Sequence, residues 1–372
     1  MSAHAILAPS SAARWVACAG SVLLAALYPE TEESPEAAEG TATHWAAQEL
    51  LAGRAIDVGL VAPNGVVLSD EMAEGAEMYV DHIDDTLKRF GLDRSALRVE
   101  QRVSISAIHS ENWGTPDAWF YDHATRTLVI FDFKFGHRFI EVFENWQLID
   151  YAAGIVDGLG LDDQATRVEF WIVQPRSYHR DGPVRSWSTV ASDLRALWNK
   201  LRNAAEAAMR PGAACTPNPE CEYCPGRHAC EAAQNAAYRA ADLARSSVPL
   251  ELDAGAISLE LRILQRAEQA IKARRTGLEE QALNRLKRGE AIPGLATEST
   301  TGREAWSKPV PEVVALGQLF SIDLVKPATI TPAQARKAGL PAGIVAAYAE
   351  RPARGLALVY DDGTQARKVF GK

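Results

Sequence analysis

The alternation of hydrophobic and polar side chains predicts β-strands in the middle of the chain. Residues 98–105 (Arg-Val-Glu-Gln-Arg-Val-Ser-Ile) alternate with a period of two, as the residues of a half-buried strand do. Residues 113–122 and 127–134 predict a hairpin or two adjacent strands, and residues 167–174 form a further β-rich run. Together these segments indicate a sheet interleaved with helices.

Helical segments are predicted on both sides of the strands. Residues 10–28, about 36–53 and about 70–90 are expected to be helical. Ser34 is a good N-cap for the second of these helices, because its hydroxyl can accept a hydrogen bond from the first turn. Gly91 is expected to close the third helix. Further helices are predicted at residues 143–158, 190–209 and about 257–289.

Composition predicts a globular protein of two units. The chain has 372 residues, and its composition shifts towards Ala, Arg, Glu and Leu near residue 235, so we expect units at 1–235 and 236–372. The formal charge of −9 argues against a general coat of positive charge, although a local basic groove would still be possible. No apolar run reaches the ~18 residues that a membrane span needs. The N-terminus lacks the features of a secretion signal, so a cytoplasmic protein with no membrane partner is expected.

The most informative chemistry lies in Gly-Thr-Pro-Asp117 and in the strand that ends Asp132-Phe133-Lys134. Mg2+ prefers carboxylate and carbonyl oxygens, which Asp117, Asp132 and the carbonyl of Phe133 can supply. Alternate residues of a strand share a face, so Asp132 and Lys134 are expected side by side, with Phe131, Phe133 and Phe135 packed on the other face. The lysine could then orient a water molecule or stabilise a phosphorane-like transition state. An isolated Asp-x-Lys pair is more often a solvated pair at a strand edge.

The residues around this pair form an ordered set. His44 lies in Glu-Gly-Thr-Ala-Thr-His on an early predicted helix, and Glu100 lies in the strand before the hairpin. Gln147 and Tyr151 are spaced i, i+4 and share one face of the following helix. In this order the chain resembles the RecB-like branch of the PD-(D/E)xK nuclease superfamily over residues 10–230.

The resemblance implies an α/β fold with a restriction-endonuclease-like core, in which a mixed central sheet is flanked by helices. It implies a metal site formed by the histidine and the two acids, a catalytic Lys134, and Gln147 and Tyr151 at the site or in contact with a DNA strand. Glu100 is a weaker candidate for supporting a second metal ion. The implied ions are one or two Mg2+ (or Mn2+).

The cysteines predict a second metal site. Five cysteines are too few for a disulfide scaffold in a chain of this length, and Cys221, Cys224 and Cys230 follow the pattern C-x2-C-x5-C. Cys18 is the candidate for a fourth ligand, and a zinc site completed by His228 or Cys215 is the alternative. RecB-like nucleases of the AddB and CRISPR-adaptation types place one cysteine before the nuclease motifs and three after. The resemblance therefore implies a 4Fe-4S iron-sulfur cluster that staples the two ends of the nuclease domain, with Cys215 left free.

A closer resemblance is to a phage-associated family of such nucleases, catalogued as of unknown function. It is carried by Ser10-Ser11-Ala-Ala-Arg14-Trp15-Val-Ala-Cys18, and more weakly by Ile292-Pro293-Gly294 and Arg303-Glu-Ala-Trp306. The resemblance implies a DNA exonuclease encoded by a phage or prophage and acting in a bacterial host cell. Its partners would be DNA with a free end and a phage single-strand-binding or recombination protein. The alternative is a catalytically silent DNA-binding or scaffolding protein.

The predicted helix at 257–289 in the C-terminal extension is locally basic. Residues 262–288 include eight Lys and Arg residues but only three glutamates. Such a helix could follow a phosphate backbone. It could equally be a solvated amphipathic helix with internal ion pairs.

Overall fold

A computed structural model of the chain describes residues 5–28, 34–177, 179, 181–243, 252–297 and 367. The chain divides into two compact units, Met1–Glu298 and Ser299–Lys372, and all of these residues except Arg367 lie in the first. The Arg303–Trp306 motif lies outside the described residues. The functional division predicted at residue 235 stays a prediction.

The N-terminal segment forms two short helices, α1 (Ala12–Ala17) and α2 (Ser21–Leu27). The segment predicted as helical over 10–28 is therefore helical in two pieces, with a break at residues 18–20. Cys18 has an extended backbone (φ −147°, ψ 98°), which ends α1. Gly20 then passes so close to the 213–215 segment that a Cβ there would lie 2.7 Å from the nitrogen of Cys215. The break thus brings Cys18 and Cys215 together.

No helix within the described ranges is, by itself, long and apolar enough to cross a membrane. One pair, Pro9–Ala17 with Ser21–Leu27, passes that test only when taken together, and it bends by 118°.

Two long helices follow as predicted, α3 (Pro35–Leu51) and α4 (Asp70–Arg89). Ser34 caps α3 by accepting a hydrogen bond from the N–H of Ala37 at 3.2 Å. Ser69 caps α4 in the same way through Met72. The two helices pack against each other and cover one face of the central sheet.

The central sheet has five strands in the order β1-β4-β5-β6-β7. Strand β5 pairs parallel with β6, and the other neighbours are antiparallel, so the sheet is mixed and is flanked by helices. The predicted hairpin and the strand at 167–174 are confirmed. Strand β7 was not predicted, because the apolar residues of its Val-Arg-Ser-Trp-Ser-Thr-Val are three apart and lack the alternation of a half-buried strand. The strands of the sheet are β1 (Arg98–Val99), β4 (Ala118–Asp122), β5 (Thr127–Phe133), β6 (Arg167–Val173) and β7 (Val184–Val190).

A separate two-stranded ribbon pairs β2 (Val103–Ser104) with β3 (Trp113–Gly114). The single strand predicted at 98–105 is wrong, because Glu100 has a positive φ of 47° and turns the chain out of the central sheet. The segment 113–122 is likewise divided between the ribbon and β4. This bend places Glu100 at the junction of the two sheets.

The remaining helices are α5 (Trp146–Gly158), α6 (Arg195–Ala208), α7 (Glu231–Leu243) and α8 (Ala254–Lys287). Helix α5 begins at Trp146 because the Asn145 side chain accepts hydrogen bonds from the N–H groups of Gln147 and Leu148. The helix predicted from residue 190 starts as a 3-10 helix, Ala191–Leu194, and α6 itself begins at Arg195. The long helix predicted at 257–289 is confirmed with slightly different ends.

Strand β5 separates two hydrophobic layers. Leu128 and Ile130 pack into the layer that contains α5 and α6. Val129, Phe131 and Phe133 pack into the layer beneath α3 and α4. All seven residues of β5 are buried, so its last polar residue, Asp132, is held rigidly at the edge of a packed core.

The packing of α5 against the ribbon can be tested at Gly154. A Cβ at Gly154 would lie 2.7 Å from the carbonyl oxygen of Ser104 and 2.8 Å from the side chain of Val103. We expect Gly154→Ala to lower the free energy of unfolding by about 1–3 kcal/mol, because the ribbon must move. Urea unfolding monitored by circular dichroism measures it.

Gly158→Ala is the matched control on the same helix, because a Cβ there meets nothing within 4 Å. Its stability should be unchanged or higher by up to about 1 kcal/mol, since alanine favours helices over glycine. Equal stability of both variants would contradict the close packing of the ribbon on α5.

Candidate functional site

Three of the predicted side chains converge at the C-terminal end of β5. His44 projects from α3, Glu100 lies at the bend after β1, and Asp117 lies immediately before β4. One potential ligand atom from each lies within 4.8 Å of the other two. A histidine nitrogen and two carboxylate oxygens at this separation could hold a divalent cation.

Each of the two carboxylates is oriented by neighbours. One oxygen of Asp117 lies 3.4 Å from Nδ1 of His44, and the other accepts a 2.6 Å hydrogen bond from the backbone N–H of Phe133. Glu100 accepts a 2.9 Å hydrogen bond from the Gln48 amide. Gln48 was missed by the sequence analysis. Its position four residues after His44, on the same face of α3, was the available signal.

Asp132, Lys134 and Gln147 form a second group beside the first. The Lys134 ammonium donates to Oδ1 of Asp132 and to Oε1 of Gln147, both at 3.0 Å. The Lys134 side chain is 28% exposed and that of Asp132 only 4%, so the lysine is partly accessible to solvent while the acid is buried. The predicted shared face of Asp132 and Lys134 is confirmed. Asp132 is not one of the three residues whose ligand atoms meet.

The electrostatics of the site arise from burial opposed by local charges. Burial, with the charge of Asp117, raises the pKa of Glu100 to about 7. Burial raises the pKa of Asp132 to about 6, although Lys134 opposes that rise. Burial would also raise the pKa of Asp117, but the charges of His44 and Lys134 outweigh burial and hold this pKa below its usual value. The two raised acids would be stabilised as carboxylates by a bound cation.

The two basic groups respond to the same acids. Burial would lower the pKa of His44, but Asp117 more than compensates and the pKa is raised. The pKa of Lys134 is also raised, because Asp132 and Asp117 outweigh its burial. The lysine therefore remains a cation and a hydrogen-bond donor at neutral pH.

Tyr151 is buried behind the site. Its hydroxyl donates to the carbonyl oxygen of Thr115 at 3.2 Å. Its ring fills the space that a side chain at Gly114 would need. Tyr151 therefore packs against the Gly-Thr-Pro-Asp117 segment and holds it through Gly114 and Thr115.

A buried polar pair next to Tyr151 was not predicted. Asp150 is fully buried, and the Asn112 amide donates to its two oxygens at 2.9 and 3.0 Å. Burial raises the pKa of Asp150 to about 7, and the contact with Asn112 opposes the rise. The pair ties α5 to the ribbon that leads to Asp117.

All five cysteines line one pocket between α1, α2 and the 215–230 segment, and none of the five forms a disulfide. Backbone N–H groups of Thr216, Asn218 and Ala233 donate to the sulfurs of three of them. The acceptors are, in the same order, the sulfurs of Cys18, Cys221 and Cys230. The sulfur of Cys224 accepts a backbone hydrogen bond from Gly226. Hydrogen bonds of this kind support thiolates that bind a metal.

Two further residues were candidates in the alternative zinc site. Cys215 lies against Cys18 and Cys230, and burial, followed by these two neighbours, raises its pKa to about 12. Its place in the lining of the same pocket was not predicted. The His228 ring instead packs edge-on against Tyr28, with ring centroids 4.6 Å apart.

Helix α8 packs against the segment 215–230, called here the cysteine segment. Arg274 donates to the carbonyl oxygen of His228, and Lys272 lies 2.6 Å from Glu222. Gly277 of α8 lies against the backbone of His228. Several of the basic side chains counted in the sequence thus make contacts within the protein, which favours the amphipathic interpretation of this helix.

Comparison with known families adds one finding. The family model described as "Protein of unknown function (DUF2800)" matches residues 4–312. The chain belongs to the DUF2800 family. The match extends from before α1 to beyond α8, so the carboxylate site and the cysteine pocket both lie within the DUF2800 region.

The Asp150–Asn112 pair predicts a pH dependence of stability. An acid whose pKa is raised from about 4 to about 7 stabilises the fold only while protonated, so its contribution is complete below pH 4 and is lost as pH rises to 7. We expect the free energy of unfolding of the wild type to fall relative to Asp150→Asn across this window. The slope should approach about 1.4 kcal/mol per pH unit.

Chemical unfolding at several pH values measures the difference. Asp157→Asn makes the same exchange at an exposed position of α5 and serves as the control. A wild type and an Asp150→Asn variant with parallel pH profiles would contradict a buried acid at this position.

Proposed function

We propose that this chain is a divalent-metal-dependent DNA exonuclease of the PD-(D/E)xK type. The observation that carries the proposal is the Lys134 ammonium held between Asp132 and Gln147, beside the converging His44, Glu100 and Asp117. A restriction-endonuclease-like core is compatible with the five-stranded mixed sheet and its flanking helices.

The donor set fits a hard divalent cation. His44, Asp117 and Glu100, whose ligand atoms lie within 4.8 Å of one another, would hold it. Asp132 and the carbonyl of Phe133 are the further ligands that the resemblance implies, and support of a second ion by Glu100 stays a proposal. Mg2+ or Mn2+ bound there would polarise the scissile phosphate and lower the pKa of an attacking water molecule.

The protein side chains account for the remaining steps. Lys134 would orient the attacking water and neutralise charge that develops on the phosphate oxygens. Gln147 accepts a hydrogen bond from the lysine and so fixes the direction of the ammonium group. The Phe133 N–H holds the Asp117 carboxylate, and Tyr151 supports the preceding Thr115. Contact of Tyr151 with a DNA strand, which the resemblance implies, stays a proposal.

A catalytically silent DNA-binding or scaffolding protein is the alternative from another class. It would need the fold but not the pairing of Lys134 with two polar partners. All of the site residues that the resemblance implies, from His44 to Gln147, are present, which favours a catalytically active protein. DNA with a free end is the proposed substrate, and a phage recombination or single-strand-binding protein stays a proposed partner.

We further propose that Cys18, Cys221, Cys224 and Cys230 hold a 4Fe-4S cluster. Four thiols in one pocket, each with a backbone N–H contact, suit all-cysteine ligation. Ligation by Cys18 and by the 221–230 segment would tie the N-terminal helices to the end of the nuclease core. Zinc bound by cysteines of the same pocket is the competing assignment.

The nuclease proposal predicts metal-dependent degradation of linear DNA. Purified protein with Mg2+ or Mn2+ should shorten end-labelled single- or double-stranded DNA, whereas Lys134→Ala and Asp132→Ala should lose at least about a hundredfold in rate. This estimate follows from the size of electrostatic contributions to phosphoryl and acyl transfer. A gel with labels at either end separates the two polarities and separates exonuclease from endonuclease cleavage.

Lys88→Ala is the matched control, because this lysine lies exposed on α4 and its ion pair with Asp85 is solvated. It should cleave like the wild type. If the wild type and Lys134→Ala behave alike on every substrate, the enzyme proposal fails and the scaffolding alternative stands.

The cluster proposal predicts a brown protein with broad visible absorption when it is purified without oxygen. Cys221→Ser should lose the colour and most of the iron, while Cys215→Ser should keep both, because Cys215 is outside the proposed ligand set. Iron, sulfide and zinc analyses measure the occupancy. A colourless anaerobic preparation with stoichiometric zinc would contradict the cluster.

A further inference from the structure

The β2–β3 ribbon is fixed to the helix that carries Gln147 and Tyr151. Gly154 of α5 leaves room for the backbone of Ser104, and the Tyr151 ring occupies the space beside Gly114. Asn112, just before β3, is hydrogen-bonded to buried Asp150. The ribbon is therefore a rigid extension of the candidate site.

The chain from β3 to Asp117 alternates between two environments. Gly114, Pro116 and Ala118 are buried, whereas the intervening Trp113, Thr115 and Asp117 are half-exposed. Both residues that flank this segment, Trp113 and Asp117, are thus accessible to solvent. Only four residues separate them, so at ~3.3 Å per residue they lie at most about 13 Å apart.

Arg102 completes this surface. It is exposed, and its guanidinium carbon lies 3.6 Å from the centroid of the Trp113 ring. A half-exposed indole stacked with a guanidinium offers a flat π-surface and a positive charge together. Unpaired nucleobases stack on such side chains, while their phosphates are attracted to the arginine.

We propose that Trp113 and Arg102 form a nucleobase-stacking site that presents a single-stranded DNA end to the carboxylate site. The proposal rests on the nuclease function and deepens it by naming the substrate class. A base inside a duplex has both faces covered by its neighbours, so only an unpaired terminal nucleotide can use the indole. The site thus selects single-stranded or frayed ends.

Binding of labelled oligothymidylate, with Ca2+ replacing Mg2+ to prevent cleavage, tests the proposal. Trp113→Ala should weaken binding by about fivefold to 150-fold, the range for losing one stacked base, whereas Trp113→Phe should retain most of the affinity. Tyr238→Ala removes an exposed aromatic ring from α7 and is the control that should bind normally.

A strand with abasic sites at both ends separates stacking from a structural role. It should bind the wild type more weakly than the intact strand does, and Trp113→Ala should cause no further loss on it. Unchanged affinity of Trp113→Ala for the intact strand would overturn the proposal. Equal weakening on intact and abasic strands would also overturn it, because the indole would then act on the ribbon and not on a base.

The kinetic counterpart distinguishes this inference from the nuclease proposal. With Mg2+ and single-stranded DNA, Trp113→Ala should raise KM more than it lowers kcat. If the wild type shows no cleavage but the abasic comparison still depends on Trp113, the nuclease proposal fails while the stacking site stands. If the wild type cleaves but Trp113→Ala binds like the wild type, only the stacking inference fails.

Discussion

The hydrogen bond from the backbone N–H of Phe133 to the Asp117 carboxylate holds the candidate site together. Strand β4 begins at Ala118, which pairs with Phe131, so β5 extends beyond the end of its antiparallel neighbour. The N–H of Phe133 would otherwise lack a partner in a buried position, which is costly. Asp117 supplies the missing acceptor at 2.6 Å and is thereby fixed beside Asp132 and Lys134. A requirement of the sheet thus places an acid where a metal ion could use its other oxygen.

Burial of this acid cluster is the cost of the arrangement. Glu100 and Asp132 have raised pKa values because the core that shapes the site also removes water from them. His44 and Lys134 compensate only part of the negative charge. Carboxyl groups removed from water without enough cations cost stability, since apolar residues of similar size would cost less. A divalent ion bound there would offset the remaining negative charge.

The local sequence pattern located most of the sheet and helices, through the end signals Ser34 and Gly91 of α3 and α4, the apolar run of β5 and the alternation of β6. It failed where one residue decides the path of the chain. Glu100 adopts a left-handed conformation within an alternating run, and Cys18 interrupts an apolar helical run. Both breaks are imposed by tertiary contacts, at Asp117 and at the 213–215 segment, that no local pattern records. The site residues could be proposed because their spacing follows strand and helix geometry. Gln48, Asp150 and Cys215 join their sites only through three-dimensional packing.

The loop after Lys134 connects the two candidate sites. Gln174, fully buried, donates to the carbonyl oxygens of Gly136 and Arg138 and so fixes the start of this loop. The Arg138 guanidinium then lies over the ring of Tyr223, 4.4 Å from its centroid, within the cysteine segment. Arg138 also lies 3.7 Å from Glu220. Because Lys134 and Arg138 are only four residues apart, any metal that orders the cysteine segment would also restrict the loop that follows the lysine. A metal centre in the pocket would therefore stabilise the geometry of the carboxylate site as well as the ends of the domain.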